Sequence, residues 1–215
     1  MNDQRSFSLA DRVFETLETN ILEGVYPPGE ILTETALSQQ LGVSRTPIRE
    51  AIRRLQQENM VKSCGKGIQI LGIDLQDLSD IYEIRIRIEG LAARWAAARI
   101  SDEGLRKLHD TLDLEDFYTL RGDAEHLKEM DTEFHSEIYR NCGSEMLEQM
   151  LTDLHRRIGQ YRQRSLGELE RAKAASAEHR QIFEAIAAKD EDAAERLTTE
   201  HIRKAKDNIT KKENL

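Results

Sequence analysis

The sequence predicts a mainly α protein in two parts: three short helices closed by a small hairpin, then a long all-helical bundle. Three observations predict it. All three prolines, Pro27, Pro28 and Pro47, lie in the first 47 of the 215 residues. Glycine is sparse after residue 73, with six in the last 142, and that stretch is rich in Ala, Leu, Glu, Arg and Lys, the strong helix formers. Charge divides too: residues 1–73 carry 8 Lys/Arg and 9 Asp/Glu, whereas residues 74–215 carry 23 and 31. These place a boundary near Gly72–Asp74, giving domains of residues 1–73 and 74–215.

In the first domain a helix is expected over about Leu9–Glu23, with Val13, Leu17, Ile21 and Leu22 on one face, stopped by Tyr26-Pro27-Pro28-Gly29. Short helices follow at about Glu34–Leu41 and Arg45–Glu58. Residues 60–70 read as two short strands around Gly65-Lys66-Gly67. Six helices are expected beyond, near 75–99, 102–121, 124–141, 145–163, 166–188 and 192–210. Gly122 and Gly143 sit where helices should stop, and Ser165 with Glu168 and Asp192 with Glu195 have capping-box spacing.

Composition excludes several classes. The net charge of −9 and pI of about 5.3 do not suit a basic nucleic-acid coat. No run of ~18 uncharged apolar residues exists to span a membrane, and no charged-then-apolar leader pattern opens the sequence. Cys64 and Cys142 form neither a disulfide framework nor a CxxC pair. A soluble cytoplasmic protein is expected.

Thr33 to Leu55 has helix-turn-helix form, with a turn at Gly42-Val43. Ser44 stands where an N-cap side chain would accept a backbone hydrogen bond, and Pro47 falls in the first helical turn, where no intrahelical bond is lost. At ~100° per residue, Ile48, Ala51, Ile52 and Leu55 form one stripe. Thr46, Arg49 and Arg53 lie opposite it, with Arg45 at the leading edge. Such a helix can pack on one face and present the other to a major groove, where Arg pairs with guanine. Residues 45–66 carry six basic and two acidic side chains, a local +4 suited to phosphate. The hairpin resembles a wing, in which Gly65 and Gly67 admit close backbone approach and Lys66 reaches a phosphate or the minor groove. The bland alternative is a solvated arginine face on a core hairpin; the proline-bearing start and the wing favour DNA.

Residues 33–67 resemble the winged helix-turn-helix of the GntR family of bacterial transcription regulators, through the run LSQQLGVSRTPIREA at 37–51. The resemblance implies that Ser44, Arg45, Thr46 and Arg49 contact double-stranded operator DNA and that Lys66 probes the minor groove. Cys64-Gly65 departs from the family's commoner proline-containing wing turn.

In the second domain three histidines and an aspartate share a pattern. Asp131 and His135 are one turn apart at the edge of the stripe of Leu127, Phe134 and Ile138. His179 lies with Ile182, Phe183 and Ile186, and His201 with Ala194, Leu197 and Ala205. Four polar groups facing a bundle interior need partners. Three imidazoles and a carboxylate from three helices can hold a divalent cation; taken singly, each histidine is equally a hydrogen-bonded core residue. His109, His126 and His155 show no such partnering, and Trp95 reads as core.

Residues 74–215 resemble the all-helical FCD effector domain of the FadR subgroup. That resemblance implies metal ligation by Asp131, His135, His179 and His201, with zinc foremost and nickel or manganese as alternatives. It also implies that Arg85 binds a small carboxylate effector, Glu89 being the alternative partner for Arg85. The implied function is a ligand-responsive transcription regulator, dimeric because two recognition helices address two half-sites. A metalloenzyme is the competing class. Against it, the sequence has no HExxH motif and no phosphate-cradling glycine loop, and Glu178, the nearest candidate base, diverges from its neighbour His179 by ~100°. A purely structural metal is a third reading.

Overall fold

The computed structural model describes residues 8–65 and 67–213. The chain divides into two compact units after Asp74, each with its own apolar core.

In the first unit, α1 (Leu9–Leu22) opens with a reciprocal cap: the Ser8 hydroxyl accepts from the Asp11 N–H, and the Asp11 carboxylate accepts from the Ser8 N–H. Its buried face, Val13, Phe14, Leu17, Ile21 and Leu22, meets α3 (Arg45–Gln57) through Ile48, Ala51, Ile52 and Leu55. Between them α2 (Glu34–Leu41) is capped by Thr33 and ends at Gly42, whose φ of 64° is a left-handed conformation that glycine adopts without strain. Ser44 has the extended N-cap backbone of α3, but its side chain makes no capping bond, contrary to the expectation from sequence.

The expected hairpin, β2 (Val61–Cys64) and β3 (Gly67–Ile70), gains a third strand. β1 (Ile31–Leu32) pairs antiparallel with β3, giving the order β1-β3-β2. Two residues are too short to show alternation, so β1 leaves no pattern in the sequence. It also supplies the reason for Gly67: a side chain there would overlap the Leu32 carbonyl oxygen. The glycine serves the sheet first.

The second unit is a bundle of α4 (Leu75–Arg99), α5 (Asp102–Arg121), α6 (Ala124–Asn141), α7 (Glu145–Arg157), α8 (Gly159–Leu166), α9 (Leu169–Ala187) and α10 (Glu191–Glu213). Gly122 ends α5 in the left-handed conformation, and Gly143 follows α6 at φ 74°. The single helix expected over 145–163 breaks at Ile158, fully buried, next to the weak helix former Gly159. Neither proposed capping box forms. Ser165 lies inside α8 and donates to Asn208, and Asp190, not Asp192, caps α10 through the Ala193 N–H. At Gly90, α4 and α10 approach closely: a side chain there would stand 2.9 Å from the Glu195 carbonyl oxygen. The alanines at 92, 93, 96 and 97 interlock with Leu108, Leu112, Phe134, Ile138, Ile182 and Ile186. Trp95 packs partly buried against this core, with the Arg99 guanidinium 5.0 Å above its ring. Among the described residues no helix is long and apolar enough to cross a membrane.

Candidate metal centre and nucleic-acid interface

The amphipathic pattern of α3 positions the first candidate surface. With the apolar stripe buried, Ser44, Arg45, Thr46, Arg49 and Arg53 are all exposed. Arg45 donates to the Thr35 hydroxyl at 3.1 Å, and Arg49 Nε donates to Glu34 at 2.8 Å, so α2 orients both guanidiniums. Arg54 is different: it pairs with Asp11 and lies 3.9 Å from the centre of the Phe14 ring, bonding α3 to α1. A concavity of about 540 Å³ runs from Glu34 and Arg49 to Ser63, Gly65 and Gly67 of the hairpin. Gly67 is half-buried. Lys66 lies outside the described residues.

The second site lies inside the bundle, where seven helices each contribute a polar side chain. Arg85 and Glu89 come from α4, Glu115 from α5, Asp131 and His135 from α6, His155 from α7, Arg162 from α8 and His179 from α9. His201 of α10 completes it. All are buried. The four residues singled out from sequence come together. One nitrogen from each of His135, His179 and His201 lies within 4.8 Å of those of the others. His179 Nε2 and His201 Nε2 are 3.2 Å apart, and Asp131 Oδ1 is 3.9 Å from His179 Nε2.

The other ring nitrogens face carboxylates. Both oxygens of Glu115 are 2.9 Å from His179 Nδ1, Glu178 is 2.7 Å from His201 Nδ1, and Glu89 is 3.2 Å from His135 Nδ1. An N–H directed at a carboxylate fixes the tautomer and leaves Nε2 with a lone pair. Two such lone pairs facing each other at 3.2 Å have no proton between them. A divalent cation resolves that arrangement, so the donor set fits a metal of the borderline nitrogen- and oxygen-binding class. Burial pushes the imidazole of His201 well below its usual pKa, helped by neighbouring His179, and burial likewise lowers that of His135. Neutral imidazole is the ligating form.

The cluster includes residues that sequence reasoning passes over. His155, expected to be an ordinary residue, is buried in it, its Nδ1 3.4 Å from both Tyr139 Oη and Arg85 Nη2 and its Nε2 3.8 Å from Asp131. Burial and then the Arg85 charge hold its pKa well below the usual value. Arg162 sits on Asp131 Oδ2, leaving Oδ1 towards the histidines. Burial, reinforced by Arg85, pulls Arg162 down to about 9. Arg85 is 2 % exposed, fully enclosed within the bundle. Its Nε donates to Glu89, the alternative partner, while its Nη1 meets no acceptor among the described residues. Burial opposes ionisation of Glu89, yet Arg85 and then His135 hold its carboxyl well below the usual range. His126 lies outside the cluster, stacked on Tyr118 and bonded to Asp123; His109 pairs with Asp113.

The pattern of the bacterial regulatory proteins of the gntR family matches residues 9–68, and that of the FCD domain matches residues 80–204. The chain belongs to the GntR family and carries an FCD domain. The HTH-type transcriptional regulator YdhC of Bacillus subtilis is 30% identical over 191 residues, covering 87% of this chain and 85% of the relative. The Nta operon transcriptional regulator of Aminobacter aminovorans is 30% identical over 185 residues, 86% of each chain. The E. coli McbR/YncC structure superposes with a TM-score of 0.81 at 22% identity, covering 95% of this chain and 98% of that one, and so shares its fold. This GntR-family chain is accordingly a transcriptional regulator and not an enzyme. Within its FCD domain the candidate metal group is the buried set of imidazoles and carboxylates.

Proposed function

We propose that this GntR-family regulator reads operator DNA with Ser44, Arg45, Thr46, Arg49 and Arg53 of the second helix-turn-helix helix and with Lys66 and Gly67 of the wing. A divalent ion and a small organic acid held in the FCD domain set its operator affinity. Asp131, His135, His179 and His201 hold the ion, and Arg85 receives the acid's carboxylate. The carrying observation is the orientation of the histidines: His179 and His201 present Nε2 to one another while each Nδ1 is engaged by a glutamate. Three nitrogens and one oxygen suit zinc first, with nickel and manganese as alternatives. When bound, the ion supplies positive charge beside the acid site; the protein's own residues orient and desolvate the acid.

The regulator acts as a homodimer in this reading, since one recognition helix addresses one half-site. Residues 1–73 are the reading head and residues 74–215 the sensor. Coupling between them needs only a differential affinity of ~1–3 kcal/mol, which shifts operator binding about 5–150-fold. The test is a gel shift on the upstream DNA with metal-loaded protein, chelated protein and the His179→Ala variant, each with and without a panel of small acids. Expected is an acid response that chelation and His179→Ala both abolish. A folded, metal-free His179→Ala protein that keeps the full acid response would assign the ion a purely structural part and sink the proposal.

A further inference from the structure

The concavity between α2, α3 and the hairpin carries a charge of the wrong sign for a purely phosphate-binding surface. Of the described residues that line it, Glu34 and Arg49 are the only charged ones. A carboxylate there repels the DNA backbone and weakens binding to every sequence alike, unless it has a task of its own. Local structure holds it in place. Thr33 caps α2 by accepting from the Ala36 N–H at 3.1 Å, which makes Glu34 the first helical residue, where the free N–H groups of the first turn favour a negative charge. From that position Glu34 Oε2 accepts from Arg49 Nε at 2.8 Å. The far end of the surface is tied as well: Gln56, about two turns further along α3, donates to the Ser63 hydroxyl of β2 at 2.7 Å.

The atom that Glu34 takes decides what Arg49 has left. A guanidinium offers its N–H donors in a fixed planar fork. With Nε engaged, the Nη1 and Nη2 pair remains, and that end-on fork matches guanine O6 and N7. A phosphate fits the same fork, but it brings a second negative charge beside Glu34 in a space from which bound DNA excludes water, where repulsion is screened least. A base edge brings no such charge.

We infer that Glu34 is a positioning residue for base reading: it commits Arg49 to a guanine edge and bars it from the backbone, exchanging general DNA affinity for sequence preference. The inference rests on the operator-reading role of Arg49 given above. It adds a residue of α2, outside the second helix of the motif, as a determinant of specificity.

The experiment uses full-length protein and the half-site footprinted in its upstream DNA, with each G·C pair replaced in turn by A·T, beside a duplex of unrelated sequence. Affinity and thermal melting are measured for wild type, Glu34→Gln, Arg49→Ala, and the truncations Glu34→Ala and Glu34→Ser, both too short to reach Arg49. Expected is a guanine that wild type prefers by about tenfold or more and Arg49→Ala does not. Both truncations cut that preference to about twofold or less while binding the unrelated duplex about twofold or more tighter. Glu34→Gln, whose amide oxygen still accepts from Nε, gains the same general affinity yet keeps most of the preference. Added to Arg49→Ala, Glu34→Ala changes no base preference further, because Glu34 acts through Arg49. Full guanine preference in a folded truncation, an equal loss on every sequence, or a Gln variant that loses as much preference as the truncations overturns the inference. Failure of both truncations to fold makes the carboxylate structural and overturns it too. An Arg49→Ala protein with every base preference unaltered overturns the operator-reading role of Arg49 itself, whereas preference lost in Arg49→Ala but kept in the truncations overturns this inference alone.

Discussion

The Glu115 carboxylate meets His179 Nδ1 with both of its oxygens and is itself 1 % exposed, so it holds that imidazole in place. Glu115→Ala should lower metal affinity about 10–100-fold, the usual effect of removing such an outer partner; competition against a chromogenic chelator measures it. The pH response of the metal-free protein has a definite sign. Folded His155 and His201 titrate below the unfolded value near 6.5, both chiefly through burial. As pH falls through 6.5 the unfolded chain takes up protons that the folded chain refuses, so stability is complete above that point and declines below it. The slope is up to about 1.4 kcal/mol per pH unit for each imidazole. Urea denaturation of chelated protein at neutral and mildly acid pH checks this, and equal stability at both would contradict it. Asp131, His135, His179 and His201 are legible in the sequence because each lies in or beside an apolar helical stripe. His155 is not, because the groups that give it meaning, Arg85 and Tyr139, lie 70 and 16 residues away on other helices. Glu115 and Arg162 escape for the same reason: a buried charge looks like a surface charge until its partner is known.

At the scale of elements, α3 separates two jobs that composition alone blends. Arg49 is exposed and, among the described residues, is held by Glu34 in an exposed pair worth about 0–1 kcal/mol. Arg54 instead spans to Asp11 and Phe14 of α1. Arg49→Ala should therefore weaken specific operator binding by ~1–3 kcal/mol with little loss of stability, whereas Arg54→Ala should lower the melting point of the first unit more than it alters sequence preference. Ser44→Ala sharpens the contrast. Its hydroxyl makes no capping bond, so stability should stay within about 0.5 kcal/mol of wild type while operator affinity falls. Fluorescence anisotropy on operator DNA beside thermal melts distinguishes these outcomes. Most elements are readable from period and punctuation. The exceptions are β1, only two residues long, and the division of α7 from α8 at Ile158, where continuous apolar spacing conceals a change of direction.

On the scale of the whole molecule, two cores built from non-overlapping stretches of chain mean two sources of stability. The donor set belongs wholly to the second. A bound ion stabilises what binds it by RT ln(1 + [L]/Kd), about 4.1 kcal/mol at a thousand times Kd. Chelation should lower the unfolding transition of residues 75–215 by an amount of that order and leave the transition of the first unit in place. Calorimetry on the intact chain, with and without chelator, resolves the two; a uniform shift of both would show that they melt as one. The division itself is legible from proline placement and charge. Which helices of the second unit would meet in a dimer is not, because a helix face left bare in one chain carries no mark of what covers it.

Trp95 is the only tryptophan of the chain, and it belongs to α4, the helix that also bears Tyr82, Arg85 and Glu89. Indole emission from this protein is therefore a built-in optical gauge of the second unit. With the Arg99 charge poised over its ring, the colour of that emission should track any shift of α4 without a dye having to be attached.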